Sequence, residues 1–102
     1  MLFQSKGSIR LDTDPRHAAL GTEPLMIAAG AALLESGKEK EAVSWYRETV
    51  RRHPASAAAH LGLGRALLLT GDKEGARKEL EETLRLDPGN AEAKELLGAA
   101  ER

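Results

Sequence analysis

Apolar residues fall at i, i+3, i+4 and i+7 in the last segment of the chain, at Ala93, Leu96, Leu97 and Ala100, while Glu92, Lys94, Glu95, Glu101 and Arg102 take the remaining positions. That spacing draws one apolar stripe along one side of a helix. The stretch 57–70 reads differently, with Arg65 its one fully charged residue among alanines, leucines and glycines. A helix there is apolar on nearly every side, so it is either covered on both faces or exposes an apolar strip. Strong helix formers crowd residues 23–102, and β-branched residues are scarce. Gly37 and Gly71 stand where a left-handed helix end forms most easily. Thr22, Ser56, Asp72 and Asn90 each offer an oxygen to orphan N–H groups at a helix start. Pro54 and Pro88 push His53 and Asp87 out of the helical region. The pattern predicts helices over 23–36, 39–52, 57–70, 73–86 and 91–101, and an all-α chain.

The helices repeat. Pro54 and Pro88 lie 34 residues apart, and so do Gly30 and Gly64, Leu33 and Leu67, Gly37 and Gly71, Ala42 and Ala76, and Thr49 and Thr83. Laid over one another without a gap, 23–56 and 57–90 agree at ten of 34 positions, which makes each unit one helical hairpin. Small residues at Gly30, Gly64, Ala42 and Ala76 allow close helix approach, and Leu33, Leu67, Tyr46, Leu80 and Leu63 fill the space beside them.

With that period, those glycines, the alanines Ala42 and Ala76 and the prolines Pro54 and Pro88, the chain resembles the tetratricopeptide repeats. Counting each unit from Glu23 or Ala57, the family's small position 8 is met by Gly30 and Gly64 and its large position 11 by Leu33 and Leu67. Its alanine at 20 is met by Ala42 and Ala76, its large position 24 by Tyr46 and Leu80, its small position 27 by Thr49 and Thr83, and its proline at 32 by Pro54 and Pro88. The usual aromatic at position 4 is replaced by Met26 or His60, and position 7 of the first unit is only Ala29. The resemblance implies a short α-solenoid of two helix-turn-helix repeats. A helix over 91–102 follows, with Leu97 and Gly98 at positions 7 and 8 of a third unit but Glu101 standing where a continuing array has a large apolar residue, so it is expected to cap the solenoid with Leu96 and Leu97 largely buried and Glu101 exposed, the alternative being a third repeat cut short.

Residues 1–22 form a leader that does not share the repeat register, expected to be flexible at 1–8 and to form a short helical turn at 15–20 capped by Thr13 or Asp14. Its Leu2, Phe3, Ile9 and Leu11 are apolar. Residues 1–12 are expected either to be disordered or to pack in part on apolar repeat surface, in their own chain or a neighbour.

Composition narrows the functional classes. Fifteen Lys and Arg against sixteen Asp and Glu leave no basic excess, so nucleic acid is not expected as a partner. No cysteine is present, which removes disulfides, thiolate zinc sites and a cysteine nucleophile. No apolar run spans a bilayer and no signal peptide is legible at the start, so membrane insertion is not expected and a cytoplasmic location is. His17, His53 and His60 have no metal-ligand spacing, and His60, in an aromatic's place, reads as a packing residue. Ser36 and Ser44 lack nucleophile surroundings, and Gly62 with Gly64 reads as helix contact rather than a phosphate loop. No catalytic residue, metal or cofactor is expected. Glu48/Arg52, Glu74/Lys78 and Glu81/Arg85 are spaced for ion pairs on a solvated face. Trp45 reads as half-buried filler.

The resemblance also implies a function. First helices of such repeats line a concave groove, which here carries Ile27, Ala31, Leu34, Leu61, Arg65 and Leu68, followed by Glu92, Glu95 and Ala99 from the last helix. The expected function is a non-catalytic interaction scaffold holding a protein or peptide partner by apolar contact, with Arg65 orienting it through a carboxylate or carbonyl, unless Arg65 merely bonds Glu92 or Glu95. Members that grip chaperone tails use Lys and Asn where Ile27 and Ala31 stand, so such tails are not expected as ligands. The alternative is a homo-oligomer whose apolar groove is the self-assembly interface.

Overall fold

A computed structural model describes residues 23–101. The turn of helix expected at 15–20, the packing expected of residues 1–12 and the Thr22 cap lie outside the described residues. Five helices follow one another: α1 (Glu23–Glu35), α2 (Glu39–Arg52), α3 (Ala57–Thr70), α4 (Lys73–Leu86) and α5 (Ala91–Glu101). Four of the five match the predicted bounds, and α1 ends one residue early. Each helix packs on the next, and α3 also touches α1 and α5, which makes the chain an all-α stack of two hairpins and a fifth helix.

The turns are built alike because the sequence is. Gly37 and Gly71 take positive φ, +77° and +94°. Gly37 N–H donates to the Leu34 carbonyl at 3.1 Å and Lys38 N–H to that of Leu33 at 2.9 Å; Gly71 and Asp72 make the same pair of bonds to Leu68 and Leu67. These bonds satisfy carbonyls that a helix end leaves orphaned. After α2 and α4, His53 and Asp87 leave the helix at φ −132° and −140°. The Ser56 hydroxyl then accepts from Ala59 N–H at 3.1 Å and Asn90 Oδ1 from Ala93 N–H at 2.8 Å. Asp72 caps α4 by accepting from Gly75 N–H at 2.9 Å. Lys38 has no side-chain oxygen to offer α2, and none caps it.

The central core joins Ala42 and Tyr46 of α2 with Leu63, Ala66 and Leu67 of α3 and Ala76 of α4. Met26 with Trp45, and Leu80 with Ala93 and Ala100, close the core toward either end. Thr49 and Thr83 are buried too, and each hydroxyl donates to a carbonyl of its own helix, so neither burial strands a polar group.

Three expectations need correction. Trp45 is buried rather than half-buried, because its indole N–H reaches the Met26 carbonyl and its ring packs on Met26, Ala29 and Leu33. Leu96 and Leu97 are half-buried, not largely buried, since no described helix lies beyond α5; Ala93 and Ala100 fill its contact with α4, and Glu101 is exposed as expected. Of the ion pairs, Glu48–Arg52 forms at 2.8 Å, but Glu74 pairs with Arg77 at 2.6 Å and Arg85 with Glu82. A guanidinium three residues on reaches back over one turn as readily as a partner four away. Arg51 beside Glu48 and Arg85 beside Glu82 hold both carboxyls below the usual range.

Candidate partner-binding groove

The first helices of the two units, α1 and α3, lie side by side with α5 next in line. Apolar side chains dominate α1 and α3 because both are packed on a second helix and on each other. Ile27, Ala31 and Leu34 on α1 and Leu61, Arg65 and Leu68 on α3 are all half-buried. Leu34 and Leu68 rest on the central core, and Leu61 and Leu68 rest on Leu80, Ala93 and Ala100. Leu69, beside Leu68, is 58 % exposed.

A line of polar contacts crosses these helices. The Tyr46 ring rises from α2 between α1 and α3, where Gly30 and Gly62 leave it room: a Cβ on Gly30 would stand 2.5 Å from the ring, and one on Gly62 closer still. Its hydroxyl points at the Ile27 carbonyl across a long 3.4 Å. Burial pushes the Tyr46 phenol up, and the Arg65 guanidinium nearby pulls against that shift. Arg65 in turn lies 3.2 Å from Glu92 of α5, both about half exposed. The sequence had offered Glu92 or Glu95 as its internal partner, and Glu92 is the one engaged. Tyr46 was legible only as a packing residue. The sign of its place beneath the groove is the second glycine, Gly62, which faces the same ring.

The other candidate residues do not assemble into a reactive site. His60 is buried; its Nε2–H donates to the Pro54 carbonyl at 2.9 Å and its Nδ1 lies 2.7 Å from Glu79, so it ties the turn before α3 to α4. His53 ends α2, and His17 lies outside the described residues. Among the described residues no three His, Asp or Glu side chains gather as a metal set, and no helix is long and apolar enough to cross a membrane. Two surface depressions are lined by other residues, one by Gly37–Glu41 and one by Lys73, Glu74, Arg77, Ala100 and Glu101.

Comparison with known proteins accords with this fold. The second tetratricopeptide domain of Spaghetti (RPAP3), solved bound to the HSP90 peptide SRMEEVD, is similar in structure with a TM-score of 0.73 and 18 % sequence identity, over 92 % of this chain and 81 % of that one. No curated protein matches. A family model described as tetratricopeptide repeat matches residues 33–100, from the end of α1 through α5. With its period, helices and turns in that register, the chain belongs to the tetratricopeptide-repeat family.

Proposed function

We propose that the chain is a non-catalytic interaction scaffold that holds an extended peptide or a partner helix along the strip formed by Ile27, Ala31, Leu34, Leu61, Arg65 and Leu68. The observation that carries this reading is the half-burial of all six. Leu34, Leu61 and Leu68 are fixed by packing on the core, and all six keep some apolar or cationic surface open, which is what a preorganised recognition strip requires. The Spaghetti domain holds its peptide on the same fold, which supports a peptide or protein as the partner class. Ile27 and Ala31 argue for an apolar segment here rather than a clamped acidic tail.

Arg65 gives the strip its one cation, and Glu92 already occupies it. A partner carboxylate would displace Glu92 from Arg65, and because both groups are about half exposed the exchange costs little, about 0–1 kcal/mol. Peptides selected from a random library on the wild-type chain, with Leu61→Glu as the counter-selecting surface, test the reading. The expected winners carry spaced apolar residues, lose binding to Leu61→Glu, and bind Glu92→Gln more tightly if they also carry an acid. Winners indifferent to Leu61→Glu would place recognition elsewhere. Loss of a concentration-dependent dimer on Leu61→Glu would instead make the strip a self-assembly interface.

A further inference from the structure

The groove side carries charge that its own helices leave unmatched. Glu35 closes α1 four residues after Ala31, and Glu95 follows Glu92 by three on α5, so both acids edge the apolar strip. Glu92 and Arg65 neutralise one another at 3.2 Å, whereas Glu35 and Glu95 are exposed and make no ion pair among the described residues. The strip is thus apolar along its middle and acidic at two corners. Successive helices alternate in direction, so α1, α3 and α5 run parallel. Glu35 then stands at the last turn of one edge and Glu95 near the first turn of the other, on the order of 20 Å apart by helix spacing and rise. An occupant that fits combines large apolar side chains with two cations and no acid.

One segment of the chain has that composition. Residues 2–11 hold Leu2, Phe3, Ile9 and Leu11 together with Lys6 and Arg10, and the first acid is Asp12. The segment lies outside the described residues, and residues 12–22 join it to Glu23 at the start of α1. That link reaches up to about 35 Å and the segment itself about 30 Å when extended, enough to cross from α1 to α5. Lys6 and Arg10 are about 13 Å apart in extended chain, and the long side chains of the two cations and the two glutamates span the remainder.

We propose that residues 2–11 occupy the groove of their own chain, with their four large apolar residues on the strip and Lys6 and Arg10 toward Glu35 and Glu95. A short tether holds such a segment at an effective concentration of about a millimolar, so a contact too weak to form between separate molecules is populated within one. The segment competes with any external partner for the same surface, which makes it an autoinhibitory contact. The proposal rests on the groove reading above and names what a partner displaces.

The chain has no cysteine, so Ser5→Cys gives a single attachment point for a nitroxide label on the full chain. The label should broaden the amide and methyl signals of Leu34, Leu61 and Leu68 in its own chain and leave an isotope-labelled chain without nitroxide unchanged when the two are mixed in dilute solution. Glu35→Lys with Glu95→Lys should reduce the broadening at least about twofold, and adding Lys6→Glu with Arg10→Glu should restore it, which no folding defect would do. With Lys6→Glu and Arg10→Glu on an otherwise native chain, peptides selected on the groove should bind about three- to tenfold more tightly. The proposal is overturned by a label that broadens none of these signals, by broadening that ignores the charge reversals, by broadening seen only between chains, or by an unchanged peptide affinity. None of these outcomes depends on Leu61→Glu, and peptide selection indifferent to that change would instead remove the groove itself.

Discussion

The Tyr46 ring occupies the space that side chains on Gly30 and Gly62 would need, so the three positions form one packing unit across α1, α2 and α3. Gly30→Ala should therefore cost about 1–3 kcal/mol by overpacking even though alanine favours helix. Gly98→Ala meets nothing within 4 Å among the described residues and should raise stability by up to about 1 kcal/mol. Thermal melts of the two variants in dilute solution separate close approach from helix propensity, and equal effects would contradict the packing. The sole tyrosine also reports its own burial. Burial raises its pKa in the folded chain, so the stability it contributes is complete below the ordinary value of 10.0 and is lost as pH rises through the folded value. Absorbance titration should show the phenol ionising above pH 10.0 and in step with unfolding. A phenol that titrates at or below that value in the folded chain would show that the ring is not enclosed.

The helices owe their limits to single residues, and these were the most legible features of the chain. Glycine at positive φ, proline after His53 and Asp87, and a capping oxygen at Ser56, Asp72 and Asn90 each have a local cause that sequence spacing shows. Ser56 does more than cap, since its hydroxyl also donates to Glu23 at the start of α1. Ser56→Ala should cost about 1–2 kcal/mol, measured by urea unfolding, and Ser56→Asp should keep the cap but lose the contact with Glu23. What sequence misjudged was the extent of burial. Trp45 is buried because a carbonyl 19 residues away satisfies its N–H, and Leu96 and Leu97 are only half-buried because Ala93 and Ala100 take the closest places against Leu80, which the apolar stripe alone does not show. Leu96→Ser with Leu97→Ser should accordingly cost about 2–4 kcal/mol in urea unfolding, less than two fully buried leucines would. Ion-pair partners were misread for a related reason: spacing permits i+3 and i+4 alike, and rotamers choose.

The two repeats sort their helices by role. α2 and α4 carry the exposed ion pairs Glu48–Arg52, Glu74–Arg77 and Glu82–Arg85, whereas α1 and α3 carry the apolar strip with Arg65 as its cation. The position of the strip follows from the repeat, and its six residues were named from sequence by resemblance alone. Tyr46 beneath it and the choice of Glu92 over Glu95 depended on where α2 and α5 come to rest. The direct measurement is a map of amide and methyl chemical-shift changes as a selected apolar peptide is added to the labelled chain. Shifts concentrated at Ile27, Ala31, Leu34, Leu61, Arg65 and Leu68 and lost in Leu61→Glu are predicted, whereas shifts centred on the charged faces of α2 and α4 would contradict the groove as the binding surface.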